Sequence, residues 1–422
     1  MSMSSAVNYT TVQNREPGLA AKDDEAQVLW VFFRPAYLLS LCLACWAVNL
    51  HIFGRFRVDY FAVLGLAKDE LVSPHGLLFS SVLTGVMLSL LHFFMLSHSP
   101  SLLAFAGILL SYLVALLALF SRLPPPLKRY FRWRAPLARA LWRCFWPDRS
   151  KEVPFIEVLV ADGLTSLSKV FFDLALGSCV VFGSMDTLLS VLLAGTTSVL
   201  TQPRIELGAS APPMQGDRRS RLGDALDQCQ QSFFPFLAWA TPFLIRARQC
   251  IVTSRNAPDS TSRFMQRVNL LKYLSALPIM TFSLCYVHTD SLQLILDKDD
   301  FEVLWALAAV LNSAFSFIWD LVMDWGLMQP APCHSGRLGL RPVLFYRGVW
   351  GFYHFAIICN LFGRTLWSLR WSPQVTLLLG GVMLANIQQA AEVIRRSQWN
   401  MLRVEWECIR RSIPRTDKHV AV

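Results

Sequence analysis

Nine stretches of the chain are each long and apolar enough to cross a bilayer, at about residues 30–53, 77–97, 102–121, 156–183, 230–250, 268–288, 302–323, 344–369 and 373–394. A membrane core takes roughly 20 apolar residues per helix. Within it only helices and closed barrels satisfy their own backbone groups. The runs are continuous rather than alternating in short pieces, which selects helices over a barrel. Composition points the same way, with 54% of residues hydrophobic and 16% charged, against about 25% charged in an ordinary soluble domain. The expected fold is all-α: a polytopic transmembrane helical bundle of about nine to ten membrane helices, with the lipid bilayer as its first partner.

Residues 1–28 are polar and include acids, which predicts a disordered tail rather than a cleaved signal peptide. Residues 29–151 hold the first three spans and a basic loop, within which 136–147 reads as an amphipathic interfacial helix. Residues 152–408 form the main transmembrane domain, and 409–422 a basic cytoplasmic tail. Lys and Arg orient the loops. The stretch 122–151 carries nine basic residues, 246–267 carries five, and seven more run from Arg395 to Lys418. The 289–301 loop is acidic, with Asp290, Asp297, Asp299 and Asp300. These loops alternate across the membrane if 186–201, short and rich in Gly, Ser and Thr, does not cross. Counting back places the N-terminus, with its Asn8-Tyr9-Thr10 sequon, on the luminal side, and a crossing near 136–147 would reverse it.

The net charge of +10 gathers in loops and tail, not in a basic stripe with aromatic platforms, so nucleic acid is not an expected partner. Ten cysteines are scattered, several of them inside apolar runs, and the Cys42 and Cys45 pair reads as small apolar packing residues. The chain holds no P-loop, HExxH or GxSxG, and its histidines are dispersed. Asp320 and Asp324 have the spacing of a metal–diphosphate site, but the Arg and Lys residues nearby argue against Mg²⁺. No enzymatic activity, cofactor or metal is expected.

The informative residues are ionisable groups in or at the ends of apolar helices: Asp162, Asp173, Lys272, Asp320, Asp324, Arg364, Glu392, Arg395 and Arg396. Each is costly in a membrane unless paired or hydrated, and so marks a functional site. Asp320 and Asp324 share a helix face, and Glu392 stands three and four residues before Arg395 and Arg396. Mutual neutralisation is the structural alternative. Cations converging on one cavity suit a compact oxyanion, Arg as a fork and Lys as a point charge. Interleaved carboxylates favour phosphate over sulfate, because phosphate keeps a P–OH that can donate to them.

The sequence FSFIWDLVMDWGL at 315–327 contains the pattern WDxxMDWGL, which resembles the signature of the EXS family of phosphate exporters. Further resemblances follow in order: VADGLTSL at 160–167, RARQC at 246–250, NLLKY at 269–273, FGRTLW at 362–367 and EVIRRSQWNMLRVEWE at 392–407. RPAYLLSL and WAVNLHIFGR, between 34 and 55, resemble the family's first helix. Gly163 and Thr165 depart from the usual Gln and Asn. The resemblance implies that 152–408 is an EXS domain carrying inorganic phosphate through its last six helices. By matching position it assigns the pathway to Asp162, Arg248, Lys272, Tyr273, Asp320, Asp324, Arg364, Arg395 and Arg396, with a gate at Trp367 and Glu392. Arg246 also matches a family position.

With only a short polar stretch before the first span, no SPX sensor domain is expected, which resembles the ER-retention-defective branch. That branch implies a multi-pass Golgi membrane protein returning luminal phosphate, a by-product of glycosylation, to the cytosol and supporting retention of glycosyltransferases. The alternative is a sorting receptor that retains glycosyltransferases or ER luminal proteins without transport. Glycosyltransferases, coat adaptors and a second copy in a homodimer are its further partners. The endoplasmic reticulum and plasma membrane are the alternative locations.

Overall fold

The computed structural model describes residues 17–67, 73–98, 101–121, 134–146, 153–183, 224–292, 296–330, 338–346 and 351–412. The Asn8 sequon, the 186–201 stretch and the end of the C-terminal tail lie outside these residues. Apart from one antiparallel ribbon, β1 (Met328–Pro330) with β2 (Leu338–Leu340), the described residues are helices and their connections. The protein is thus an all-helical polytopic bundle.

In chain order the helices are α1 (Pro17–Arg55), α2 (Tyr60–Leu64), α3 (Pro74–Ser97), α4 (Leu102–Phe120) and α5 (Arg134–Phe145). Then come α6 (Phe155–Ser166), α7 (Ser168–Gly183), α8 (224–230), α9 (Phe233–Arg255), α10 (Ser260–Leu274) and α11 (Leu277–Leu292). Last are α12 (Lys298–Trp319), α13 (Phe352–Thr365), α14 (Pro373–Leu379) and α15 (Gly381–Ser412). A π-turn over Asp320–Asp324 extends α12, and a 3₁₀ segment over Leu366–Trp371 extends α13.

Each of the nine expected spans contains helix, but not all are plain membrane rods. Five helical stretches are long and apolar enough to cross unaided: 27–55, 74–97, 102–120, 260–289 and 298–324. Two more qualify only as bent pairs, α6 with α7 at 59° and α14 with α15 at 98°. The second break falls on Gly380, whose φ of 72° is open to glycine at little cost. The remaining two, α9 and α13, carry Arg246, Arg248, Arg255 and Arg364 in short or interrupted apolar frames.

Several boundaries differ from the sequence reading. The 246–267 stretch is not a loop: α9 continues to Arg255 and α10 starts at Ser260, capped by Asp259. The basic region from Arg395 onward is helix as far as Ser412. The eighth span begins only at Phe352, behind the αL residue Gly351. Helix α1 starts at Pro17, inside the stretch read as a disordered tail. It runs through Pro35, where the Tyr112 hydroxyl enters the ladder, accepting from the Ala36 amide and donating to the Phe32 carbonyl. The expected interfacial helix is present as α5, tied to α6 by an Arg143–Glu157 ion pair of 2.9 Å.

Two apolar cores lie at opposite ends of the bundle. One gathers Phe53, Tyr60, Trp325, Leu327, Tyr346, Trp399 and Leu402. Gly326 (φ 55°) makes this packing possible, since a Cβ there would stand 2.4 Å from the Trp406 ring. The other gathers Leu29, Phe32, Phe33, Phe105, Phe172, Leu176 and Phe236. Beside this second core a disulfide, Cys179–Cys229, joins α7 to α8. The polar residues that follow lie between these ends.

Candidate functional site

Helices α6, α10, α12, α13 and α15 each bring a charged or hydroxyl side chain into the layer between the cores. Asp320, at the start of the π-turn and 1% exposed, is the hub. Its Oδ2 accepts from Arg364 Nη2 at 2.5 Å and Asn360 Nδ2 at 3.0 Å, and its Oδ1 from Trp399 Nε1 at 3.0 Å. Arg395 Nη1 stands 3.7 Å away. Four donors from two helices thus meet one carboxylate. A π-turn widens the backbone and is common at functional sites.

Glu392 is gripped by Arg395 through two hydrogen bonds of 2.7 Å, the expected pairing within one helix. The Ser166 hydroxyl donates to Glu392 Oε1 at 2.6 Å and accepts from Arg396 Nε at 2.8 Å. Arg396 also donates to Thr165 Oγ1 at 3.3 Å and lies over Trp399. Among the described residues the hydrogen bonds of Arg396 go to hydroxyls, and no carboxylate stands within ion-pair distance of it. Arg395 reaches its place by crossing Gly363, where a Cβ would lie 2.8 Å from the Arg395 Cδ. A residue with a side chain at 363 would push the guanidinium aside.

Two further groups stand behind this pair. Asp162 accepts from Arg246 Nε at 2.8 Å and from the Tyr273 hydroxyl at 2.6 Å, and Arg246 Nη2 donates to that hydroxyl at 2.9 Å. Lys272 contacts Asp324 at 3.2 Å, and Arg403 approaches the same carboxylate at 3.8 Å. Asp320 and Asp324 therefore serve different partners, although both belong to one π-turn.

These side chains enclose an elongated cavity of about 320 Å³. Lys272, Tyr273, Asp320, Arg364, Arg395 and Arg396 line it, as do the expected gate residues Trp367 and Glu392. Thr165 lines it too, so the hydroxyl that stands for the usual amide faces the same space. Asp162 and Asp324 do not line it; they hold Tyr273 and Lys272, which do. Arg248 lies elsewhere, donating to the Cys144 and Phe145 carbonyls at the end of α5, while Arg246, two residues earlier, joins the buried network. A helix turns 200° in two residues, so one face cannot take both.

Four participants escaped the sequence reading. Arg34 binds Asp173 through two hydrogen bonds of 2.6 Å, and Lys169 joins the same carboxylate at 3.1 Å while lining the cavity. Asn360 precedes Arg364 by one turn, a polar residue in an apolar run, and that spacing was a readable signal. Arg370 also lines the cavity, from the 3₁₀ segment.

The model of the EXS family matches residues 29–409. Protein ERD1 homolog 1 of Schizosaccharomyces pombe is 24% identical over 397 residues, 90% of each chain. Human solute carrier family 53 member 1 is 28% identical over 287 residues, 66% of this chain and 36% of the human one. SPX and EXS domain-containing protein 5 of Dictyostelium discoideum is 31% identical over 187 residues, 42% of this chain and 19% of its own. The chain thus spans nearly all of the first relative and a minor part of the other two.

Proposed function

The chain belongs to the EXS family, and on that premise we propose that it is a transporter or channel for inorganic phosphate, not an enzyme, working through the charged cavity. One observation carries this reading. Six cationic side chains (Lys169, Lys272, Arg364, Arg370, Arg395 and Arg396) line the cavity against two carboxylates, Asp320 and Glu392. Asp173, Asp324 and Glu302 pair Lys169, Lys272 and Arg370 from outside the lining, so the positive excess is local to the cavity wall, where an anion would complete it. Arg396, whose hydrogen bonds go to hydroxyls, is the cation with most to gain. Glu392, with 29% of its side chain exposed, keeps an acceptor edge for a P–OH donor. That feature favours phosphate over sulfate, which would leave the edge unpaired.

Two observations support a compartment for this activity. Connectivity puts Cys179 and Cys229 on the face opposite the basic ends of α9 and α15, and a disulfide there suits an oxidising lumen. The resemblance to the ER-retention-defective branch, together with similarity along nine-tenths of both chains to ERD1 homolog 1, supports a Golgi membrane location. In this reading phosphate released by luminal glycosylation returns to the cytosol, and glycosyltransferase retention depends on that return.

Release of radiolabelled phosphate from proteoliposomes holding the purified chain tests the reading, with sulfate as competitor and Lys272→Ala as control. Phosphate-selective flux that Lys272→Ala abolishes is expected. Well-folded protein without flux sinks it. The same similarity along nine-tenths of both chains favours one second reading, a sorting receptor that engages glycosyltransferases and coat adaptors, as a homodimer, without transport. Removing the residues beyond Ser412, where α15 ends, would then abolish retention and leave flux intact.

A further inference from the structure

The charged residues described so far surround Asp320, yet the cavity continues along α12 to a second cation. Arg370 lines it, 7% exposed along its side chain. Its guanidinium lies 4.1 Å above the ring of Trp305, and Trp367 and Trp371 stand edge-on to the same ring. The plane is fixed by stacking, which leaves the edge of the guanidinium with its fork of N–H donors for a ligand.

The counter-ion of Arg370 is weakly engaged. Arg370 Nη2 is 3.5 Å from Glu302 Oε1, whereas Arg364 and Arg395 hold their carboxylates at 2.5 and 2.7 Å. That Glu302 oxygen already accepts from Trp371 Nε1 at 2.8 Å, and the Glu302 side chain is 32% exposed. The indole N–H of Trp305, itself 5% exposed, is buried and finds no acceptor among the described residues. A stacked, under-paired guanidinium therefore stands beside an unpaired N–H donor on the wall of one cavity.

This position is separate from the Asp320 hub. Glu302 and Asp320 are 18 residues apart along α12 and its π-turn, which at 1.5 Å per residue is about 27 Å. One oxyanion of phosphate size cannot reach the cations held at both ends.

We propose that Arg370, with the Trp305 indole N–H beside it, forms a second oxyanion station at the far end of the cavity, and that phosphate takes the station by displacing Glu302. The inference rests on the phosphate-transport reading and adds to it a binding step before the Asp320 hub. Glu302 neutralises the station when no anion is bound, and its partial exposure gives it room to swing away. The stacked indoles hold the guanidinium in place during the exchange. The ligand class is a small oxyanion, since the station offers a guanidinium fork held against the Trp305 ring.

Initial flux against phosphate concentration, in proteoliposomes of the full chain, separates the station from the hub. Arg370→Gln is expected to raise the half-saturating phosphate concentration about tenfold, a loss of about 1.4 kcal/mol in binding, while the maximal rate stays within about threefold. Arg370→Lys is expected to recover part of that loss, and Glu302→Gln to lower half-saturation below that of the unsubstituted chain. A half-saturation unchanged in Arg370→Gln overturns the station. So does a fall in maximal rate alone that Lys does not rescue. If Arg370→Gln fails to fold, Glu302→Gln carries the test, and unchanged half-saturation there overturns it equally. Absence of flux in the unsubstituted chain sinks the transport reading itself, whereas normal flux with silent variants sinks only the second station.

Discussion

Helices α3 and α4 and the helices that wall the cavity are made to opposite specifications. The first two contain no charged residue, and in their most apolar windows only 11% and 6% of residues are buried inside the protein. Their large side chains, Phe79, Phe93, Leu103 and Leu113 among them, point outward as lipid-facing surface. The cavity helices α9 and α13 carry arginines in short or interrupted apolar frames, and α15, which carries more, is one rod set at a 98° bend from α14. Hydropathy therefore identifies the helices that meet lipid, together with α10 to α12 of the cavity wall, and passes over α9 and α13. A helix can hold Arg246 or Arg395 in the membrane because another helix supplies the countercharge.

The largest expected effect comes from removing the hub. Asp320→Ala leaves Arg364, Asn360 and Trp399 without their shared acceptor, and breaking a buried pair costs about 3–5 kcal/mol. Phosphate flux should fall at least about hundredfold, equivalent to about 2.7 kcal/mol, and the melting temperature should drop with it. A variant with normal flux would erase the contrast between the two regions.

The adjacent arginines of α9 sharpen the same contrast. Arg246→Ala removes the partner of Asp162 and should cut flux by more than about tenfold, or about 1.4 kcal/mol. Arg248→Ala, outside the cavity, should leave half-saturating phosphate within about twofold, or about 0.4 kcal/mol. The reverse order in flux assays would return the pathway to Arg248. Gly363→Ala comes next. It forces Arg395 to shift, at an overpacking cost of about 1–3 kcal/mol, and should lower maximal flux several-fold with modest loss of thermal stability. Smallest of all is Leu113→Ala, half exposed on α4. It should change stability by no more than about 0.5 kcal/mol and leave flux unaltered, as melting curves and flux assays would register.

Much of this was legible in the sequence, for reasons that separate local from distant pairing. Asp320, Arg364, Glu392, Arg395 and Arg396 stand out because a charge in an apolar run is conspicuous whatever its partner. The Glu392–Arg395 pair lies within one turn, so spacing alone predicts it. Arg34 with Asp173 was not legible, since 139 residues separate them and only packing brings α1 against α7. Glu302 with Arg370 is hidden in the same way, on the end of α12 and in a 3₁₀ segment whose helical period gives no forecast. Arg246 and Arg248 differ by 200° of helix rotation, which the sequence contains but only the position of Asp162 resolves. The breaks at Leu167 and Gly380 were overlooked because a continuous apolar run carries no mark of a bend unless each Gly is weighed.

The unbroken length of α15 makes it a lever. From its pivot at Gly380 the helix runs through Glu392, Arg395 and Arg396 to Ser412 without a joint. At 1.5 Å per residue, Arg396 stands about 24 Å from the pivot and Ser412 about 48 Å. Any tilt therefore moves the far end about twice as far as the cavity wall. A partner or a membrane pulling at the last turn would work against a two-to-one reduction, about 2 Å of travel there becoming about 1 Å at Arg396. One ångström is the scale on which hydrogen bonds between a guanidinium and an oxyanion are made or lost. Such gearing would turn coarse movement at one end of the rod into fine adjustment at the other.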